Sequence, residues 1–295
     1  MIARPDGRRL AALATAGARA ALGGAGRLVA DRRPAHTEPS VNIAAVNELV
    51  SAHSLSKSFG SVKAVDDLSF DVKASEVFGV LGPNGAGKTT TLRILATLLA
   101  PDSGTATVAG HDIIKDAERV RAAIGVVNGG MGLYDRLTGR EILHYFGGLY
   151  GMRGAAIEAR IAELDQLLQL GDTLSRRAGG FSTGMKQKVV IARAVLHDPQ
   201  VIFFDEATSG LDVVARRAVI DFVKAYPSAG RAVVYSTHVM SEVEELCDRA
   251  CIIYRGRKIA EGTITELAAQ GDGKGLEEAF FRLVNRYDTA RGVAA

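Results

Sequence analysis

From Leu49 onward the chain alternates short apolar runs with stretches whose apolar residues recur at helical spacing. The run at 77–81 (VFGVL) ends in a glycine-rich turn, and those at 201–204 (VIFF) and 232–235 (AVVY) each end in polar residues. Unbroken apolar runs of this length, bounded by turns, predict strands covered on both faces, as in a parallel sheet. Residues 89–99 place Leu92, Ile94, Leu95 and Leu98 at helical spacing, which predicts a helix directly after the glycine turn. The alternation predicts an α/β fold: a mostly parallel sheet covered by helices, with functional groups at the carboxyl ends of its strands. From about 131 to 197 the pattern turns mainly helical, with 157–170 strongly periodic, and predicts an inserted helical subdomain. A helical tail is expected over 266–295, its periodic part reading LEEAFFRLVNRY, free to pack on the core or on a partner.

Residues 1–45 break this pattern. They are rich in Ala, Gly and Arg, contain Pro34 and Pro39, and show no sustained apolar period. The segment reads as a disordered leader or as upstream sequence from a mistaken start codon, with a loose likeness to an Arg-rich transit peptide. The folded domain is expected at 46–265.

Composition narrows the function classes. No stretch reaches the roughly 18 to 20 uninterrupted apolar residues of a membrane span, and the most apolar early segment is interrupted by Arg19 and Arg27. The net charge of +3 suggests a nucleic-acid partner until it is located. Residues 1–45 hold seven arginines against Asp6, Asp31 and Glu38, an excess of four, so the rest of the chain stands at −1. A basic nucleic-acid footprint on the folded domain is therefore not expected. Cys247 and Cys251 lack neighbouring Cys or His ligands and read as buried thiols of a reducing cytoplasm.

Candidate chemistry begins at Gly82-Pro83-Asn84-Gly85-Ala86-Gly87-Lys88-Thr89-Thr90, which fits G-x-x-x-x-G-K-[ST] between a predicted strand and a predicted helix. Glycines let successive N–H groups face an anion, and the helix start adds its positive dipole end. Lys88 is expected to reach the β- and γ-phosphates of a nucleotide, and Thr89 to offer its hydroxyl to Mg²⁺. The run 201–204 ends in Asp205-Glu206. There Asp205 is expected to support Mg²⁺ through its water shell, and Glu206 to act as general base toward the attacking water. These two elements fit many nucleotide-binding folds.

Further motifs resemble the ABC ATPase family over roughly 49–265. Gly179 to Lys188 (GGFSTGMKQK) is similar to that family's LSGGQ signature, with Ser182 and Gly184 matching and Phe181, Thr183 and Met185 departing from it. The resemblance gives Ser182, Thr183, Gly184 and Met185 the role of an anion-binding helix start, offered to the γ-phosphate in an opposite subunit. Ser209-Gly210-Leu211-Asp212 resembles the D-loop that crosses between subunits, with Ala207 in place of the usual proline. His238 falls at the switch histidine, and Phe59 at the aromatic that stacks on adenine, a core phenylalanine being the competing reading. After 124–127 the family usually has Gln; this chain reads Asn128-Gly129-Gly130, with Gly129 at the Gln position, so γ-phosphate sensing passes to Asn128 or to water.

The resemblance implies a P-loop NTPase fold with a small antiparallel β subdomain beside the core sheet. It implies an ATP- and Mg²⁺-dependent ATPase that pairs with itself as an ATP-sandwich homodimer. The other implied partner is an integral-membrane permease of ABC-2 type at the cytoplasmic face of the membrane. Segment 133–143 is the expected permease surface, and sodium or drug export the expected task, as in sodium-extrusion cassettes. A non-transport ABC ATPase on ribosomes or DNA, and a regulatory module without turnover, are the rivals.

Overall fold

The structure, a computed structural model, describes residues 48–228 and 230–292. The leader expected at 1–45 lies outside these residues. The chain opens with a hairpin of two long strands, β1 (Glu48–Phe59) and β2 (Val62–Lys73), then β3 (Val77–Leu81), the glycine turn and α1 (Lys88–Leu95). Next come β4 (Ser103–Val108), β5 (His111–Asp112), α2 (Ala117–Ala123) and β6 (Ile124–Asn128). Three helices follow: α3 (Gly139–Leu149), α4 (Gly154–Leu168) and α5 (Thr183–Val195). The chain then returns to the sheet through β7 (Val201–Asp205), α6 (Val213–Ala225), β8 (Ala232–Thr237), α7 (Met240–Leu246), β9 (Arg249–Tyr254) and β10 (Arg257–Thr263). It ends in α8 (Ile264–Ala269) and α9 (Gly275–Ala290).

The strands form two sheets. One is antiparallel, in the order β2-β1-β4-β5; the other has the order β10-β9-β3-β8-β7-β6. In the second sheet the pairs β9–β3, β3–β8, β8–β7 and β7–β6 are parallel, and only the edge pair β9–β10 is antiparallel. The α/β class with a mostly parallel sheet and an antiparallel companion is as expected. The apolar runs are strands because both faces are covered: Phe78, Phe203, Phe204 and Tyr235 are fully buried. Burial of one such side chain is worth about 1.5–3 kcal/mol, so the central strands carry much of the fold.

One helix differs from its predicted extent. The helix expected over 89–99 stops at Leu95, because Thr97 takes a left-handed φ of 60°. The Thr97 N–H then donates to the Ile94 carbonyl at 3.0 Å and the Leu98 N–H to the Arg93 carbonyl at 2.8 Å. This Schellman closure normally uses glycine and is hard to see at a threonine. Helix α5 begins at Thr183, well before its apolar run at 189–196, because Ser182 caps it by accepting from the Met185 N–H at 3.3 Å. Helix α3 starts on a capping box, in which Thr138 and Glu141 satisfy each other's N–H groups.

The tail packs on its own chain. Leu276, Phe280 and Leu283 of α9 are buried in one cluster with Val243, Ile252 and Leu267. Cys251 is buried and Cys247 half-buried, both unpaired, and burial pushes both thiols up in pKa. Among the described residues no helix is long and apolar enough to cross a membrane.

Candidate functional site

Strand register brings the site together. Leu81 of β3 pairs with Thr237 of β8, and Ser236 of β8 pairs with Asp205 of β7. The residues that follow these strand ends, the glycine turn, Glu206 and His238, therefore emerge side by side at the carboxyl edge of the sheet.

The turn is shaped by close backbone approach. A Cβ on Gly82 would overlap the Ile253 carbonyl oxygen, and one on Gly87 would overlap that of Ala64. Gly87 also has φ 107°, open to glycine and costly for other residues, and no side chain caps α1. The first N–H groups of α1 have no partner within the helix, so the helix start faces the cavity as an anion site. That cavity, about 370 Å³, is lined by Phe59, Asn84, Lys88, Thr89, Thr90 and Glu206 among others. Phe59 is 50% exposed at its rim, which decides against the core reading of this residue.

Lys88 is buried beneath the turn, and its ammonium donates to the carbonyls of Gly82 at 2.8 Å and Pro83 at 3.1 Å. It also lies 3.2 Å from the Glu206 carboxylate. Asp205 Oδ1 accepts from the Thr89 hydroxyl and from the Ser236 hydroxyl, each at 3.1 Å. Three hard oxygen donors thus converge beside the turn, a set suited to Mg²⁺ that keeps most of its waters. Among the described residues no group of three or more His, Cys, Asp or Glu is arranged to hold a metal ion by itself.

Glu206 holds a left-handed φ of 50°, a region that non-glycine residues adopt sparingly and often at functional sites. Its N–H donates to the Ser236 carbonyl at 3.0 Å, and its carboxylate lies 3.4 Å from His238 Nδ1. Lys88, Thr89, Asp205, Glu206 and His238 are thus gathered in one place.

Other expected residues lie elsewhere. None of Ser182, Thr183, Gly184 and Met185 lines the Lys88 cavity. Asp212 caps α6 by accepting from the Ala215 N–H at 2.8 Å. A Cβ on Gly184 would meet Ala215 at 3.4 Å, so the starts of α5 and α6 are neighbours. Asn128 lines a separate groove beside α3 and not the Lys88 cavity. At the glutamine position, the Gly129 N–H donates to the Asp205 carbonyl at 3.0 Å, and a Cβ there would stand 2.9 Å from the Glu206 carbonyl oxygen. This loop lies close against the Glu206 backbone, at a distance glycine allows.

Two participants were not singled out from the sequence. Ser236 could have been found by registering the 232–235 run on 201–204, which sets it opposite Asp205. Gln187 is buried, its amide donating to the Ala207 carbonyl at 3.2 Å, so it ties α5 to the segment after Glu206.

The sequence model of the ABC transporter family matches residues 65–209. The ABC transporter ATP-binding protein NatA of Bacillus subtilis is 46% identical over 207 residues, covering 70% of this chain and 84% of that protein. This chain belongs to the ABC transporter ATP-binding proteins. Another relative, Nod factor export ATP-binding protein I of Paraburkholderia xenovorans, is 42% identical over 224 residues, covering 76% of this chain and 74% of its own length. A solved ATP-binding subunit of an ABC transporter superposes with a TM-score of 0.71 at 29% identity, over 80% of this chain and 99% of that one. As an ABC ATP-binding subunit the chain is an ATPase coupled to transport, and such subunits work with membrane permease subunits.

Proposed function

We propose that the chain acts as an ATP-sandwich homodimer beneath a separate ABC-2 type permease, at the cytoplasmic face of the membrane. The observation that carries this reading is a separation within one chain. Lys88, Asp205, Glu206 and His238 stand together, while Ser182–Met185 open outside their cavity. A two-fold pair gives each copy's α5 start to the other's glycine turn, so both halves of an anion site meet only in the dimer. Val213 and Val214, next to Asp212, support the same face: they are 85% and 81% exposed. Adjacent exposed valines at a helix start are costly to leave in water and suit burial against a second copy.

In this reading Gly82 to Thr90 wrap the phosphates, Lys88 binds the β- and γ-phosphates, and Phe59 stacks on adenine. Thr89 and Asp205 would hold Mg²⁺, which when bound would neutralise charge on the phosphate oxygens. Glu206 accepts a proton from water as its oxygen bonds to the γ-phosphorus. The bond to the bridging oxygen breaks, leaving ADP and phosphate. His238 hydrogen-bonds the γ-phosphate and keeps Glu206 and the water aligned.

The permease is assigned to an apolar groove of about 740 Å³, lined by Leu98, Val126, Met131, Phe146, Leu149 and Tyr150 among others. Met131 and Phe146 stand on either side of segment 133–143 in the chain, and an apolar lining suits the apolar face of an amphipathic helix from a permease loop. Sodium or a drug is the cargo the resemblance favours, with selection left to the permease.

The test is ATP-dependent dimerisation followed by size-exclusion chromatography with light scattering. The wild-type chain is expected to dimerise with Mg²⁺-ATP under conditions where hydrolysis is slow. Val214→Glu should weaken that dimer by about tenfold or more, since it sets two charges into the interface. A variant that dimerises like wild type would remove this face from the interface. Phe59→Ala should raise the Kd for ATP by about tenfold, within the ~1–3 kcal/mol that stacking on an aromatic contributes. Equal affinities in a fluorescent-nucleotide titration would exclude the stacking role.

A further inference from the structure

Behind the site lies a buried polar network that none of the motifs describes. At its centre Glu242 of α7 is only 2% exposed. Its Oε1 accepts from the Thr208 hydroxyl at 2.8 Å and lies 3.2 Å from the Arg216 guanidinium. Its Oε2 accepts from the Thr237 hydroxyl at 2.8 Å and from the Tyr235 phenol at 3.1 Å. Thr208 and Tyr235 oxygens are themselves 3.2 Å apart, and burial raises the phenol's pKa, which keeps it a donor. Thr237 in turn accepts from the Val239 N–H at 3.1 Å, fixing the backbone on both sides of His238.

The partners come from three places that matter. Thr208 stands two residues after Glu206, Thr237 immediately before His238, and Arg216 one turn into α6, whose cap is Asp212. A buried carboxylate is expensive unless its lone pairs are filled, and here three hydroxyls and a guanidinium fill them. Such networks fix geometry, because every member loses a partner if one element shifts. Hydrophobic replacement of a buried ion pair is often neutral for stability, so stability alone does not account for a carboxylate at this position.

We infer that Glu242 is a positioning residue that holds Glu206 and His238 in register with the start of α6, so that the hydrolytic pair and the Asp212 segment move as one unit. This rests on the roles given to Glu206 and His238 under the proposed function. Glu242 touches neither nucleotide nor water in this scheme; it acts through Thr237 and Thr208. Its loss therefore lowers turnover and leaves nucleotide affinity in place, because Phe59, the glycine turn and Lys88 are untouched.

The experiment is steady-state Mg²⁺-ATPase kinetics of the full chain, with ATP affinity measured separately by fluorescent-nucleotide titration. The variants are Glu242→Gln, Tyr235→Phe, His238→Ala and the double variant Glu242→Gln/His238→Ala. Glu242→Gln should lower kcat by about tenfold, with KM and Kd for ATP within about twofold. Tyr235→Phe, which removes one of the donors, should lower kcat by about threefold with the same split. In the double variant kcat should fall no more than about twofold below His238→Ala alone, since residues acting as one unit are non-additive.

Wild-type kcat in Glu242→Gln, or losses that multiply in the double variant, would overturn the inference. A merely structural role would instead reduce the fraction of active protein and the Tm, without a consistent kcat-against-KM split across both single variants. If Glu242→Gln does not fold, Tyr235→Phe, alone and combined with His238→Ala, carries the same test. If His238→Ala keeps wild-type turnover, the reading of the hydrolytic pair fails first and the inference falls with it. A deficient His238→Ala beside an unimpaired Glu242→Gln removes the inference alone.

Discussion

Glu206→Gln is expected to lose turnover by about 10²- to 10⁴-fold, the usual worth of a general base, while ATP binds as well as before or better. The argument starts from the position of the carboxylate, 3.2 Å from Lys88 Nζ and 3.4 Å from His238 Nδ1. In the proposed scheme it serves as the base toward the water that attacks the γ-phosphate. As a charge it competes with that phosphate for the Lys88 ammonium, which the Gly82 and Pro83 carbonyls also hold. The amide removes both effects together. It cannot take the proton, and it no longer neutralises Lys88 before nucleotide arrives. The variant should therefore accumulate as an ATP-bound dimer on size-exclusion chromatography, with phosphate release near background. Phosphate release at the wild-type rate would take the base role from Glu206. Loss of both binding and turnover would instead mean that the carboxylate shapes the turn.

The parts of this site that were legible in the sequence are those whose physics is local. Residues 77–81 and 201–204 read as buried strands because a strand covered on both faces is apolar without alternation. The glycine turn announced itself because only glycine tolerates the approach of the Ile253 and Ala64 carbonyls at positions 82 and 87. What escaped is what the fold assembles from a distance. Thr208, Arg216, Tyr235, Thr237 and Glu242 spread over two strand ends and two helices, and no single one is unusual until the fold surrounds Glu242 with the others. The start of α5 was legible only through the likeness of 179–188 to the family signature, because its first turn is polar and its signal is the Ser182 cap rather than apolar period. The tail could be read as a helix but not assigned a neighbour, since a face of Leu276, Phe280 and Leu283 fits its own chain and a partner equally well.

Gly129→Gln restores the glutamine the family usually carries and is nonetheless expected to lower kcat by about 10- to 100-fold. The reason is steric and lies in the main chain. The Gly129 N–H is bonded to the Asp205 carbonyl at 3.0 Å, which draws the end of β6 against β7. A Cβ on residue 129 would then stand 2.9 Å from the Glu206 carbonyl oxygen, closer than real Cβ atoms come to backbone. Neither partner is free to give way cheaply. The Glu206 peptide is pinned by its N–H bond to Ser236 and by its left-handed φ of 50°, and β6 is held by its parallel pairing with β7. The side chain fits only if Glu206 moves, and misplacement of a catalytic group by about 1 Å can cost roughly 10² in rate. Nucleotide affinity should change little, because residue 129 does not line the cavity formed by Phe59, the glycine turn and Lys88. Paired measurements of kcat and ATP Kd decide the matter: a variant as fast as wild type would show that the Glu206 backbone yields at no cost. A faster one would mean that γ-phosphate sensing was waiting for its glutamine.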